Sequence, residues 1–292
     1  VARAGGYHGE TVGALAVTDV AIFRDAYAPL IRAAHVVPSP DARQAGPGET
    51  AVDVARRAAA ALEAFLEAEH ERIAALIVQG AAGMAMHDPE YLRLARALCD
   101  RFEVHLICDE IAVGCGRSGT FFAHEQASIR PDFLCLSKGI SGGYLPLSVV
   151  LTTDTVYAAF YDDATVKGFL HSHSYTGNAL ACRAALATLD IFEADDVLVQ
   201  NQARGDRLEA LLAPLAAHEK VRHFRRRGMI LAFDVDADPG FGRRFYREAL
   251  ARELLLRPMG NTVYFMPPYI LGDNDADFLA AGASAALEAA LQ

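Results

Sequence analysis

The chain has 292 residues, of which 52% are hydrophobic, and a formal net charge of −10. This length supports one large domain or a large and a small one, while the acidic balance argues against a nucleic-acid-binding or membrane-surface protein. We expect neither a membrane span nor a signal peptide, because no uncharged apolar run is long enough and VARAGGYHGE lacks an apolar region.

The first two thirds of the chain alternate between helical and strand patterns, which predicts an α/β domain. Residues 51–70 have the apolar periodicity of an amphipathic helix. Asp88 followed by Pro89 predicts the start of a second helix that ends near Phe102. Short apolar segments predict four buried strands, at 73–78, 104–110, 132–137 and 147–153. Two long helices are expected at 177–193 and 195–219.

The sequence pattern changes after Lys220. The segment VRHFRRRGMILAFDVD predicts two strands around a turn at Arg227 and Gly228. A helix at 241–255, a strand at 263–269 and a closing helix at 275–291 are expected to follow. We therefore predict a large domain over 1–219 and a smaller α+β domain over 220–292.

Neither the cysteines nor the histidines indicate a metal site. The five cysteines form no CxxC pair, so we expect free, partly buried thiols in a reducing cytoplasm. His171 and His173 form an H-x-H pattern without a third ligand beside it, so we expect loop or interface histidines and no metal.

Lys138 is one of only three lysines in the chain and follows the strand at 132–137, while Asp109 ends the strand at 104–110. Because the carboxyl ends of parallel strands meet at one edge of a sheet, the two side chains are expected to lie close together. Taken singly, Asp109 could cap a loop and Lys138 could be a solvated or ion-paired lysine. Taken together, they favour pyridoxal-phosphate (PLP) chemistry, in which a deprotonated lysine attacks an aldehyde and a carboxylate keeps the pyridine nitrogen protonated.

The stretch DEIAVGCGRSGTFFAHEQASIRPDFLCLSKGISGGYLPLSVVLTT resembles the signature of the class III aminotransferases, which are PLP enzymes of fold type I. The resemblance runs from Tyr7 to the C-terminus and implies a large domain with a mostly parallel sheet. HSHSYTGNALAC and RPMGNTVYFMPPYI are similar to the branch of this family in biotin biosynthesis. That branch implies transfer of the amino group of S-adenosylmethionine to 8-amino-7-oxononanoate, giving 7,8-diaminononanoate, in a cytoplasmic homodimer.

The resemblance also implies roles for the residues around the cofactor. Lys138 would bond covalently to PLP and then move a proton between substrate and cofactor carbons, and Asp109 would pair with the pyridinium nitrogen. Ile111, two positions further along the same strand, would pack on one face of the ring. Tyr7 would stack on the other face, and His8 would contact the cofactor where the chain turns. Ordinary core packing is the alternative for Tyr7.

Three further residues are implied in phosphate and substrate binding. Ser174 stands where the family usually has threonine and would reach the phosphate of the neighbouring subunit, so that the sites are shared across a homodimer. Arg257 would hold the substrate carboxylate in a bidentate pair, and Tyr264 and Tyr7 would line the same pocket. Taken from the residues alone, Arg257 could equally belong to a surface turn and Tyr264 to sheet packing.

Two differences from the family pattern lead us to expect that the sequence is part of a longer protein. Family members have a long segment before the stacking tyrosine, with aromatic substrate contacts and a Gly-Ser backbone cup for the phosphate. They also have a Glu-Pro and several further residues between a strand like IAALIV and a turn like QGAAGM. The alternative is a degenerate, non-catalytic homologue or an inactive fragment.

A second enzymatic interpretation stays open. Another class III aminotransferase, acting on an ω-amino acid or a diamine with pyruvate or 2-oxoglutarate, has the same central signature. The MPPYI motif and the sequence around Arg257 favour the biotin branch. The identity of the amino donor therefore distinguishes these two interpretations.

Overall fold

A computed structural model of the chain describes residues 1–32, 34–79 and 84–292. Internal contacts divide it into a first unit, residues 1–115 with 122–193, and a second unit, residues 116–121 with 194–292. Within these described ranges, no helix has both the length and the apolar content that a membrane crossing requires.

The first unit contains a six-stranded sheet in the order β2-β1-β3-β4-β5-β6. Strands β1 to β5 pair in parallel, and β6 runs antiparallel to β5. The strands are β1 (Ala2–Arg3), β2 (Val36–Val37), β3 (Ala75–Gln79), β4 (His105–Asp109), β5 (Phe133–Leu136) and β6 (Val149–Thr152). The prediction of an α/β fold with a mostly parallel sheet is confirmed.

Six α-helices accompany this sheet. Both predicted helix starts are confirmed, because Thr50 and Asp53 form a reciprocal capping box and Asp88 accepts a hydrogen bond from the Glu90 N–H ahead of Pro89. The helices are α1 (Val12–Val17), α2 (Ala21–Arg24), α3 (Ala51–Glu69), α4 (Pro89–Arg101), α5 (Asp154–Phe160) and α6 (Ala179–Ala194).

The core of the first unit lies between the sheet and helices α3 and α4. Leu62 and Leu66 of α3 and Leu76 and Leu106 of the central strands are all fully buried in one apolar cluster. Burying a leucine side chain contributes ~1.5–3 kcal/mol. These contacts fix β3 and β4 in place, and β4 carries Asp109 at its end.

The second unit is a small α+β unit. Its strands β7, β8 and β9 form an antiparallel sheet in that order. The elements are α7 (Val197–Ala216), β7 (Val221–Arg227), β8 (Ile230–Val235), α8 (Phe241–Leu250), β9 (Thr262–Phe265) and α9 (Asp273–Leu291). Phe233, Phe241, Phe245 and Phe265 anchor its core. The predicted strand pair at 221–236 is confirmed.

Gly228 makes the turn between β7 and β8. Its φ is +57°, and a Cβ there would lie 2.3 Å from the Gly119 nitrogen. The Met229 N–H also donates to the Arg117 oxygen at 3.0 Å. The segment 116–121 therefore packs against this turn through close backbone contact, which only glycine permits.

Several predicted boundaries differ from the structure. Helix α8 ends at Leu250, because Glu253 takes a left-handed φ of 61° and the chain turns back there. Strand β6 is an edge strand with Val150 60% exposed. The two-residue strands β1 and β2 are too short for a periodic pattern to predict. The sequence predicts that the stretch from IAALIV to QGAAGM is shorter than in the family. Residues 80–83 of this stretch lie outside the described residues.

The contact division also differs from the predicted domain boundary at 219/220. Leu208, Leu212 and Leu215 of α7 are buried in the same cluster as the strands of the second unit. That packing assigns α7 to the second unit by contacts. The domain boundary at 219/220 stays a prediction.

Candidate active site

Asp109 and the residue that leads to Lys138 lie on adjacent strands. Asp109 is the last residue of β4 and pairs in register with Cys135 of β5. Lys138 comes three residues after Cys135 and opens a 3₁₀ turn, Lys138–Ser141. Because β4 and β5 are parallel, both side chains belong to the carboxyl edge of the sheet, as the sequence predicts.

The Asp109 carboxylate is held by two protein groups. It is 3% exposed. Its Oδ2 lies 2.7 Å from Nδ1 of His8, and its Oδ1 accepts the Ile111 N–H at 3.1 Å. An ionised carboxylate only accepts hydrogen bonds, so the His8 Nδ1 is the donor. A carboxylate has about four acceptor positions, so the two hydrogen bonds leave Asp109 able to accept at least one more.

Ile111 does not lie on the strand, so the expectation that it follows Asp109 on the same side of β4 is wrong. The strand ends at Asp109, and Ile111 lies in the turn that follows. The turn forms because the Asp109 side chain accepts the Ile111 backbone N–H, an Asx-type contact that competes with strand pairing.

Lys138 has an unusual backbone conformation. Its φ is +46°, in the left-handed region that non-glycine residues rarely adopt. The side chain is exposed. Lys167 pairs with Asp162 at 2.5 Å, whereas no ion pair involves Lys138 among the described residues. The ion-pair alternative for Lys138 thus gains no support from the described part of the chain.

Gly139 allows a close backbone approach directly after this lysine. A Cβ on Gly139 would lie 2.8 Å from the Cys115 Cβ. Real Cβ atoms do not approach so closely, so any larger residue would displace either the turn or Cys115. The contact fixes the turn that carries Lys138 against the segment that follows Asp109.

Glu110 and His124 form a buried pair that the sequence analysis missed. Glu110 is 3% exposed and accepts three hydrogen bonds: from Ala123 N–H at 2.6 Å, from His124 N–H at 2.8 Å and from His124 Nδ1 at 2.8 Å. The available signal was a second acid directly after Asp109 at the end of a buried strand. Glu110 anchors the segment that begins at Ala123.

Tyr7 and His8 have different surroundings. The His8 side chain is 2% exposed and is bonded to Asp109. The Tyr7 ring lies 5.1 Å from the Phe23 ring, and its hydroxyl donates to Glu10 at 3.0 Å. Partial burial and the Glu10 carboxylate raise the pKa of Tyr7. The contact between His8 and Asp109 brings this segment to the carboxyl edge of the sheet.

Ser174 lies in a turn at 174–177 and is exposed. His173 Nδ1 accepts the Tyr175 N–H at 3.2 Å, and the Thr176 hydroxyl lies 3.3 Å from His171 Nε2. Each histidine of the H-x-H pattern thus contacts its own loop. The structure gives Ser174 no contact with Asp109 or Lys138.

Arg257 and Tyr264 lie in the second unit and line one cavity of about 460 Å³. Tyr264 is the third residue of β9, and Arg257 is exposed after the end of α8. The rest of the lining is mainly apolar, with Leu254, Leu255, Leu256, Phe265, Met266, Pro267, Pro268, Leu271, Phe278 and Leu279 beside Glu253 and Asp275. Arg257 is the one guanidinium of this lining and can pair with a substrate carboxylate, whereas Glu253 and Asp275 repel one, and the apolar side chains can contact an alkyl chain.

Arg117 holds one wall of this apolar cavity. Its Nη1 donates to the Pro267 oxygen at 2.7 Å, and its guanidinium lies 4.4 Å from the centre of the Tyr269 ring. Burial lowers the pKa of Arg117. No local pattern predicts this contact, because it joins positions 150 residues apart.

Comparison with known proteins decides the family. The family model described as aminotransferase class-III matches residues 1–287 of the chain. The chain belongs to the class III aminotransferases. Enzymes of this family depend on PLP, so the family and its cofactor agree with the expectation from Lys138 and Asp109.

Two relatives carry the name adenosylmethionine-8-amino-7-oxononanoate aminotransferase. The Helicobacter pylori protein is 43% identical over 287 residues, covering 94% of the chain and 64% of the relative. The Anoxybacillus flavithermus protein is 39% identical over 283 residues, covering 92% and 62% respectively. The chain thus spans a little less than two thirds of the length of these relatives.

Solved structures of the family have the same fold. An (S)-enantioselective omega-transaminase from Thermomicrobium roseum matches with a TM-score of 0.92 at 28% identity, covering 100% of this chain and 68% of that one. The adenosylmethionine-8-amino-7-oxononanoate aminotransferase of Methanocaldococcus jannaschii matches with a TM-score of 0.86 at 30% identity, covering 98% and 67%. The fold prediction is therefore confirmed.

The residues at the sheet edge fit PLP. Asp109 is buried and has a free acceptor position for a pyridinium N–H. Lys138 has no ion-pair partner among the residues described, and Gly139, Gly142 and Gly143 follow it, the last two with φ of +61° and +79°. The positive φ values of Gly142 and Gly143 belong to a backbone conformation that residues with a Cβ rarely adopt.

Proposed function

We propose that this class III aminotransferase acts in biotin biosynthesis. It would transfer the amino group of S-adenosylmethionine, by way of PLP, to 8-amino-7-oxononanoate and so form 7,8-diaminononanoate. The observation that carries the proposal is the position of Asp109 and Lys138 at the carboxyl ends of adjacent parallel strands. The names of the relatives at 43% and 39% identity support the choice of substrates.

Each residue of the site has a defined task in this proposal. PLP, when bound, supplies an aldehyde that takes up amino groups and a ring that accepts electrons. With PLP bound, the Asp109 carboxylate would keep a proton at the ring nitrogen, and His8 would orient that carboxylate through its 2.7 Å hydrogen bond. The Lys138 Nζ would hold the cofactor and would move the proton at the substrate carbon that bears the amino group.

The ring faces and the phosphate are assigned to three residues. Tyr7 would cover one face and Ile111 the other, with the turn after Asp109 setting the position of Ile111. Ser174, exposed on its turn, would donate to the phosphate of a partner subunit. A serine hydroxyl keeps this donor where the family usually has threonine.

The acceptor substrate is matched to the cavity in the second unit. 8-Amino-7-oxononanoate has a carboxylate at the end of a methylene chain, and Arg257 stands beside a mainly apolar lining. A bidentate pair from Arg257 would fix the carboxylate, and Tyr264 would contact the chain or the reacting end. Tyr7 would contact the substrate as well.

We propose a homodimer with shared sites. Large apolar side chains between residues 157 and 191 are exposed, among them Val166 (89%), Leu170 (79%) and Leu180 (74%). Exposed apolar surface of this extent marks an interaction site. Light scattering should give twice the chain mass for the wild type and a single chain mass for V166D/L170D. The same mass for the wild type and the variant would exclude this interface.

A cytoplasmic location belongs to the same proposal. Cys99, Cys108, Cys135 and Cys182 are free thiols, as is usual for proteins kept in a reducing compartment. The substrates are small metabolites, and no nucleic acid or membrane is required for the reaction.

The amino donor tests the proposal against its alternative. Purified chain with PLP and 8-amino-7-oxononanoate would be supplied with S-adenosylmethionine, L-alanine or L-glutamate, and 7,8-diaminononanoate measured by mass spectrometry. Formation of 7,8-diaminononanoate with S-adenosylmethionine, and not with the other two donors, supports the proposal. Product only with alanine or glutamate favours an ω-amino acid or diamine aminotransferase, whose solved representatives match the fold at 26–28% identity. No product with any donor would contradict catalysis by this chain.

A further inference from the structure

A second cavity of about 580 Å³ lies in the second unit beside α8. Its wall is formed by α8 and by the segment around Pro258. The lining consists of Pro239, Gly242, Arg243, Tyr246, Arg247, Arg257, Pro258 and Gly260. We call it the arginine cavity, because three of these eight residues are arginines and none is acidic.

The three guanidinium groups approach the cavity from two directions. Arg243 and Arg247 are four positions apart on α8 and therefore lie on the same face of the helix. Arg257 comes from the segment opposite and also borders the apolar cavity. All three are exposed. Like charges at this spacing repel each other, so the arrangement is unfavourable without a counter-charge.

Neighbouring arginines on the same unit are neutralised by carboxylates. Arg244 pairs with Asp238 at 2.6 Å, and Arg252 pairs with Glu248 at 2.6 Å. Among the described residues, no ion pair involves the three arginines of the cavity. An unneutralised basic cluster is notable in a chain with net charge −10, where carboxylates are in excess.

The cavity has a fixed wall. A Cβ on Gly242 would lie 2.3 Å from the Gly260 oxygen and 3.7 Å from the Pro258 Cβ. The first turn of α8 therefore packs directly against the backbone of the opposite segment. This contact holds Arg257 next to the helix face that carries Arg243 and Arg247.

We propose that the arginine cavity binds a small anion of the phosphate class. Arg243 and Arg247 would supply the main contacts, with Arg257 and the Tyr246 hydroxyl completing the site. The planar guanidinium fork matches phosphate oxygens with two parallel hydrogen bonds. Several guanidiniums around one cavity favour an anion with more than one charge over chloride. This proposal does not depend on the proposed transamination.

Calorimetric titration with inorganic phosphate and with pyrophosphate tests the site, at an ionic strength held constant with sodium chloride. The chain would be titrated without added PLP. Wild type is expected to bind at least one of the anions, and R243Q/R247Q to bind it about tenfold more weakly or worse. R56Q/R72Q is the matched control, because Arg56 (62%) and Arg72 (71%) are exposed arginines of the first unit.

The two double variants lose the same charge, so their comparison separates a site from general attraction. Loss of binding in R243Q/R247Q alone supports the proposal. Equal loss in both variants, unchanged binding in R243Q/R247Q or no binding by wild type overturns it. Thermal melting checks that each variant is folded, and the single variants R243Q and R247Q, each expected to weaken binding, replace the double variant if it unfolds.

Discussion

The Nδ1 atom of His8 lies 2.7 Å from the Oδ2 atom of Asp109, although the two residues are 101 positions apart. Both side chains are almost completely buried. The contact orients the carboxylate at the end of β4 and leaves it an acceptor position for a cofactor. It also ties the segment that carries Tyr7 to the sheet.

Replacement of His8 should weaken cofactor binding. In H8A, the Asp109 carboxylate loses its hydrogen bond from His8. A hydrogen bond to a charged group contributes about 1.5–3 kcal/mol, so PLP should bind roughly tenfold more weakly or worse. Fluorescence titration with PLP measures this. H105A is the control, because His105 is half exposed on the same strand as Asp109. Equal PLP affinity in H8A and wild type would contradict a positioning role for His8.

Replacement of Glu110 should destabilise the first unit. The carboxylate accepts three hydrogen bonds in a buried position, and the amide of E110Q would turn a donor towards at least one N–H. Leaving a buried donor unsatisfied costs about 1–3 kcal/mol. Urea unfolding measures the loss of stability. The control is E71Q, because Glu71 is exposed. A midpoint for E110Q equal to that of E71Q would show that the pair adds no stability.

Asp132 should make the free energy of unfolding depend on pH in the acidic range. Partial burial alone would raise its pKa, but hydrogen bonds from the Leu106 N–H at 2.7 Å and from Arg96 at 2.8 Å outweigh this, and the pKa lies below the ordinary 3.8. A carboxyl with a depressed folded pKa stabilises the protein above its unfolded pKa. That contribution is lost as the pH falls through the folded pKa.

D132N should therefore be less stable than wild type near pH 7 by about 1–2 kcal/mol, because two hydrogen bonds to a charged group are weakened. The difference should shrink as the pH falls from about 5 to below 3.8. Urea unfolding across this range measures it. D100N is the control, since Asp100 also pairs with Arg96 but is 65% exposed. A difference that does not change with pH would contradict the assignment.

The cysteines should differ strongly in reactivity. Cys182 is exposed, while burial raises the pKa of Cys99 to about 12 and of Cys115 to about 11. Because the thiolate is the reactive form, at pH 8 only about one in ten thousand Cys99 thiols is reactive. Labelling of the monomeric variant V166D/L170D with a chromogenic disulfide should show one fast thiol, because the proposed dimer would cover the surface around Cys182. The fast phase should be absent in C182S; its persistence there would refute the assignment.

Local sequence signals predicted much of the fold. Asp88 with Pro89, and the turn at Gly228, act through backbone chemistry within a few residues, so the sequence alone was enough to find them. The carboxyl-edge position of Asp109 and Lys138 followed from the ends of two apolar segments. The resemblance to class III aminotransferases added the roles of Arg257 and Tyr264, which no local pattern indicates.

Other features could not be read from the sequence because they depend on long-range contacts. The bonds from His8 to Asp109 and from Arg117 to Pro267 join residues 101 and 150 positions apart. The strand pattern around Asp109 places Ile111 on the same side of the strand. In the structure the Asp109 carboxylate accepts the Ile111 backbone N–H, and the resulting Asx-type turn ends the strand before Ile111. The left-handed conformation of Lys138 likewise depends on its surroundings.

The proposed covalent attachment of PLP to Lys138 can be measured directly. The purified chain would be incubated with PLP, reduced with borohydride and mapped by peptide mass spectrometry, with K138A as the control. We expect a phosphopyridoxyl adduct on Lys138 that is absent from K138A, with no comparable adduct on Lys167 or Lys220. No adduct, or one spread equally over the three lysines, would contradict an organised cofactor site in this chain.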